Sequence, residues 1–106
     1  MDLDLAGKIA IVTGSSKGLG LATAKALVLE GCKVTICARG EASLNEAAVE
    51  LRLLAGGDGD RVLAVRADLA TADGVESVVA ETVDRFGGLD ILVNNEIGRA
   101  SCRERV

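Results

Sequence analysis

Short apolar runs alternate with amphipathic ones along this chain. Residues 7–12 (GKIAIV) are almost continuously apolar, the pattern of a strand covered on both faces. A helix-like segment follows over 21–30, with Leu19, Ala22, Ala26, Leu27 and Leu29 at helical spacing and Gly31 to stop it. Residues 33–38 (KVTICA) are rich in β-branched side chains and predict a second strand. Leu44, Ala47, Ala48, Leu51, Leu54 and Ala55 step by three and four, which marks the apolar stripe of a second helix. Glycines break the pattern over 56–60, and 61–67 (RVLAVRA) predicts a third strand. Thr71 is placed to cap a third helix, whose apolar face would be Val75, Val78, Val79, Val83 and Phe86. Gly87-Gly88 ends that helix, and 89–93 (LDILV) predicts a fourth strand running into Asn94-Asn95.

Strands alternating with helices predict an α/β fold with a doubly wound parallel sheet. The expected spatial order is 3-2-1-4, with helices on both faces. A ligand is expected across the carboxyl ends of the strands, where the order reverses between the first and the fourth. No repeat and no second domain is visible.

The candidate chemistry sits between the first strand and the first helix, in Thr13-Gly14-Ser15-Ser16-Lys17-Gly18-Leu19-Gly20. A strand that turns through glycines into a helix presents backbone N–H groups at the positive end of the helix dipole, a site for phosphate. Gly14 permits a tight turn, Gly18 a close backbone approach to the ligand, and Gly20 close packing of helix on strand. The spacing is G-x-x-x-G-x-G rather than G-x-G-x-x-G, and a glycine-rich turn without a ligand is the competing reading.

Three stretches in order extend the picture: TGSSKGLG, Asp68-Leu69 after the third strand, and Leu92-Val93-Asn94-Asn95 at the end of the fourth. Together, residues 7–95 resemble the amino-terminal half of the short-chain dehydrogenase/reductase family. The resemblance implies that residues 1–95 are the amino-terminal part of a single, truncated Rossmann-like domain that binds a nicotinamide dinucleotide. It implies that the backbone and hydroxyls around Gly14, Ser15 and Ser16 contact the phosphates and ribose, and that Leu19 reaches the nicotinamide side. Asp68 would bond the adenine amino group with the Leu69 backbone beside it, and Asn95 would lie against the adenine-side ribose. Asp68 as a turn or cap residue and Asn94-Asn95 as a strand-end turn remain alternatives.

Cofactor choice turns on the end of the second strand, where a carboxylate would repel a 2′-phosphate. This chain has Ala38-Arg39-Gly40 there. Arg39 offers a forked, permanently charged donor, and Lys17 in the glycine loop a second positive charge. NADP(H) is therefore favoured over NAD(H), against the alternative that both are solvated surface cations.

The family's reaction is hydride transfer between the nicotinamide and a carbonyl or secondary-alcohol carbon. It uses a tyrosine as general acid/base, a lysine four residues later and a substrate-orienting serine, all beyond the fourth strand. The chain contains no tyrosine. No catalytic residue is assigned to it, and it is expected to be inactive by itself, with a small carbonyl or alcohol substrate reserved for a longer parent. A non-catalytic dinucleotide-binding module or an inactive truncated product is the alternative. Residues 96–106 (EIGRASCRERV) resemble, residue for residue, the conceptual translation of a sequencing-library adapter, so they are expected to be a non-native tail.

Composition narrows the partners. The net charge is −4 with no basic block, which argues against nucleic acid. No apolar run reaches membrane-spanning length, and the acidic start Met1-Asp2-Leu3-Asp4 lacks the form of a signal peptide. Asp58 and Asp60 lack the companions of a calcium loop, and three cysteines without a spacing pattern form neither a zinc nor a disulfide framework, so no metal is expected. Cys32 and Cys37 are expected as buried thiols, and a cytoplasmic setting is the default. No oligomeric state is expected from these residues.

Overall fold

The computed structural model describes residues 6–14, 18–56, 59–68 and 71–93. Its elements are β1 (Ile9–Thr13), α1 (Gly18–Leu29), β2 (Lys33–Ala38), α2 (Glu41–Leu54), a 3₁₀ turn (Gly59–Arg61), β3 (Val62–Arg66), α3 (Ala72–Phe86) and β4 (Ile91–Val93). The four strands form one parallel sheet in the order β3-β2-β1-β4, as the alternation predicts.

Side chains alternate across a strand, and the two core clusters follow that alternation. Val12, Val34, Ile36 and Val62 project to one face, where Ala24 and Val28 of α1 and Leu44, Ala47, Ala48 and Leu51 of α2 cover them. Ile11, Cys37 and Val65 project to the other face and meet Val78 of α3. Helices therefore lie on both faces, and both faces of β2 are buried.

Helix α1 departs from the expected pattern. It begins at Gly18, three residues ahead of the predicted start, and its buried residues are Gly20, Ala24 and Val28. Leu19 is 74% exposed and Leu29 66%, while Ala22 and Ala26 also face outward. The helix is apolar around most of its circumference, so spacing singles out no stripe. The sheet receives the row Gly20, Ala24 and Val28, whose first two small residues let the start of the helix come close to the strands. Gly31 ends the helix as expected. It has φ +95°, its N–H donates to the Val28 carbonyl at 3.0 Å and the Cys32 N–H to the Leu27 carbonyl at 3.0 Å, the pairing of a Schellman cap.

Helix α3 shows a second difference. Thr71 caps it as predicted, its hydroxyl accepting the Gly74 N–H at 3.0 Å. Its buried residues, however, are Val78 and Thr82, whereas Val75 and Val83 are each 44% exposed. A threonine enters the core because its hydroxyl finds partners there, 2.9 Å from Thr35 Oγ1 and 2.8 Å from the Val78 carbonyl.

Strand β1 starts at Ile9 rather than residue 7. Gly7 is in a left-handed turn with φ +84°, its N–H donating to the Gly31 carbonyl at 3.0 Å. Strand β4 starts at Ile91 rather than residue 89. Just before it, the Ile9 N–H donates to Asp90 Oδ2 at 2.9 Å, and the Asp90 N–H donates to the Ile9 carbonyl at 2.8 Å. A side chain thus substitutes for one rung of the β1–β4 ladder.

Candidate functional site

Parallel strands with helical crossovers bring all the described candidate residues to one edge of the sheet, beyond the carboxyl ends of β1, β2 and β3. Gly14 follows β1, is exposed, and has φ +59°. Gly18 opens α1 with φ +66°, and a Cβ built on it would meet nothing within 4 Å. Gly18 therefore carries no side chain into the space at the positive end of the α1 dipole. Leu19 projects outward beside it, and Gly20 is buried on the sheet side. Thr13 closes the strand, its hydroxyl donating to the Val93 carbonyl of β4 at 3.3 Å, which ties the two strand ends where the order of the sheet reverses.

The next two strand ends form a second part of the same edge. Arg39, directly after β2, and Asp68, two residues after β3, line a cavity of about 340 Å³ together with Arg66 and Ala67. The Ala67 N–H donates to the Ala38 carbonyl at 3.1 Å, so strand pairing continues one residue past β3 and holds the cavity floor. The structure brings Arg39 and Asp68 together; Gly14, Gly18, Leu19 and Gly20 lie at the β1–α1 corner, outside this cavity's lining. Ser15, Ser16, Lys17, Leu69 and Asn95 lie outside the described residues, as do Asn94 and the tail 96–106.

Two residues at this edge are not singled out by the sequence reading. Arg66 is the last residue of β3 and stands in register with Ala38, so strand length and register together were the available signal. Gly74, in the first turn of α3, packs so closely on the Asp68 turn that a Cβ there would collide with the Asp68 carbonyl. That carbonyl also accepts the Thr71 N–H at 3.2 Å and the Thr71 hydroxyl at 3.0 Å. The α3 cap therefore sets the position of the Asp68 backbone.

A second cavity, of about 390 Å³, opens at the opposite edge among Lys33, Asp60, Arg61, Arg85 and Phe86. Its cations are mostly engaged. Arg61 Nη1 donates to the Cys32 carbonyl at 2.7 Å and the Val28 carbonyl at 3.3 Å, and Arg85 stands 4.0 Å from Asp60. These contacts secure the end of α1 and the foot of α3. Among the described residues, no group of three or more His, Cys, Asp or Glu is placed to hold a metal ion, and no helix is long and apolar enough to cross a membrane.

A parallel sheet in 3-2-1-4 order, with a glycine corner after β1 and an arginine after β2, has a family counterpart. The family model for short chain dehydrogenases matches residues 8–102. The chain belongs to this family. It is 42% identical over 92 residues to 11-beta-hydroxysteroid dehydrogenase A of Sesamum indicum, an alignment covering 87% of this chain and 26% of that protein. Among solved structures it is similar to glucose dehydrogenase of Caenorhabditis elegans in its apo form, with a TM-score of 0.83 and 43% identity over 90% of this chain and 40% of that one. It is also similar to L-sorbose reductase of Gluconobacter frateurii complexed with NADPH and L-sorbose, with a TM-score of 0.82 and 43% identity over 98% of this chain and 38% of that one. The short-chain dehydrogenase relatives are thus matched over roughly a quarter to two fifths of their length.

Proposed function

We propose that residues 1–95 are the amino-terminal part of one dinucleotide-binding domain of an NADP(H)-dependent oxidoreductase. In the longer parent, hydride would pass between the nicotinamide and a carbonyl or secondary-alcohol carbon. The observation that carries the cofactor choice is Arg39, placed directly after β2 and lining a cavity with Asp68. Relatives solved with NADPH support the same choice.

The residues fit the group. Gly14 and Gly18 bring no side chain to the corner where backbone N–H groups would meet the diphosphate, with Ser15, Ser16 and Lys17 between them in sequence. Leu19 projects from the same corner toward the nicotinamide side, and Gly20 seats the helix. Asp68, with Leu69, would receive the adenine, and Asn95 the adjoining ribose. Arg39 would pair with the 2′-phosphate, with Lys17 as a further cation. The dinucleotide supplies the hydride; these residues bind and orient it. The proton donor for carbonyl reduction would come from the parent's remaining length, since the chain has no tyrosine. By itself the chain would bind the cofactor and turn nothing over. Cys32 and Cys37 are buried, as expected of the thiols of a protein from a reducing cytoplasmic setting.

Titration of the chain with NADPH and NADH, followed by nicotinamide fluorescence, tests this reading. NADPH is expected to bind at least about tenfold tighter, consistent with a charge-assisted contact. Arg39→Ala should remove that preference. Equal affinity of the unaltered chain for both would overturn the cofactor choice.

The alternative is an inactive truncated product; the likeness of residues 96–106 to adapter sequence instead supports a gene that runs on from Asn95. A long sequencing read of the source gene across the Asn95 codon separates the two. Continuation into a serine and a Tyr-x-x-x-Lys pair supports the parent enzyme; a stop after Val106 removes it.

A further inference from the structure

We infer that Arg66 is an additional cation for the 2′-phosphate, beside Arg39 and distinct from Lys17 of the glycine loop. The inference rests on the dinucleotide reading above and adds to it a residue from a different strand. Arg66 is exposed at the end of β3, opposite Ala38 in the ladder, so it stands next to the β2–α2 corner that carries Arg39. Its Nε donates to the Arg39 carbonyl at 3.2 Å. That bond holds the guanidinium against the corner while using only one of its five N–H donors. Among the described residues its two Nη groups have no other protein partner, and the residue lines the same cavity as Arg39 and Asp68.

Charge decides the role. Among the described lining residues, Arg39 and Asp68 alone sum to zero charge, which gives no net attraction for a phosphomonoester carrying between one and two negative charges near neutral pH. Arg66 makes the lining net positive and supplies planar donors suited to phosphate oxygens. Its anchoring on a backbone carbonyl also reduces the side-chain freedom lost on binding.

The test is calorimetric titration of the chain with adenosine 2′,5′-bisphosphate and, in parallel, 5′-AMP. Arg66→Gln should weaken the bisphosphate about tenfold, the loss of one charge-assisted contact, and leave 5′-AMP unchanged, which also shows that the variant is folded. Arg66→Lys, which keeps the charge but not the fork, should fall between. Equal loss for both nucleotides would mean that Arg66 stacks on adenine or supports the fold, and would overturn the inference. So would no change for either. If Arg39→Ala weakens the bisphosphate while Arg66→Gln does not, the inference fails and the dinucleotide reading stands. If the unaltered chain binds neither nucleotide, both fail.

Discussion

The hydroxyl oxygens of Thr35 and Thr82 lie 2.9 Å apart, both fully buried between the sheet and α3. Thr82 has a second partner, the Val78 carbonyl at 2.8 Å, and Thr35 has no other among the described residues. The pair is the polar centre of an otherwise apolar face, and it fixes which side of α3 meets the sheet.

Unequal partners predict unequal mutational costs. Thr82→Val would strand the Thr35 hydroxyl and should cost about 1–3 kcal/mol, the penalty for an unsatisfied buried group. Thr35→Val leaves Thr82 bonded to Val78 and should cost about 1 kcal/mol or less. The double variant should be more stable than Thr82→Val alone. Urea unfolding of the three variants checks the order, and equal single costs would contradict it.

Gly74 carries a prediction of opposite sign to helix propensity. Alanine in place of an interior helical glycine normally gains up to about 1 kcal/mol. Here its Cβ would drive into the Asp68 carbonyl, so Gly74→Ala should destabilise by about 1–3 kcal/mol, the range for overpacking. Because the Asp68 turn must shift to relieve the contact, adenine-nucleotide affinity should fall as well. A stabilised variant with unchanged affinity would show that the first turn of α3 does not position Asp68.

Burial raises the Cys32 thiol above its ordinary value of 9.0; the nearby Arg61 charge lowers it and Glu30 raises it. Below about pH 9 the thiol is protonated in both folded and unfolded chains and its burial contributes in full. As pH rises further, the unfolded chain loses its proton first, so stability falls until the raised folded value is passed. The unaltered chain should therefore lose more stability than Cys32→Ala as the pH rises above about 9. Arg61→Met removes the one lowering charge, so it should push the thiol higher and widen that window. It should also cost roughly 1.5 kcal/mol at neutral pH, because the Val28 and Cys32 carbonyls lose a charged donor. Denaturant midpoints across the pH series provide the measurement.

Much of the scaffold was legible along the chain because its signals are local. β2 is found over 33–38, as its β-branched run predicts, and Gly31 and Thr71 end and begin helices through their own backbone and hydroxyl chemistry. In α2, Leu44, Ala47, Ala48 and Leu51 are buried where the three- and four-residue steps place them, whereas Leu54, expected on the same stripe, is exposed at the end of the helix. The 3-2-1-4 order matches right-handed crossovers with α1 and α2 on one face of the sheet and α3 on the other.

Other features required the assembled sheet. The sequence alone determined that α1 is a helix, but its apolar residues surround it, and only packing on the sheet selected Gly20, Ala24 and Val28 as the buried row. It likewise determined that α3 is amphipathic, but a hydroxyl on β2 decided that Thr82 rather than Val83 enters the core. Arg39 and Asp68 could be nominated one at a time from what precedes them. Arg66 and Gly74 became visible only when β2, β3 and α3 were packed, because their roles depend on register and on the distance between backbones far apart in sequence. Periodicity records what each segment prefers, whereas the face that it buries and the residues that meet at a strand end are set by the neighbours that tertiary structure supplies.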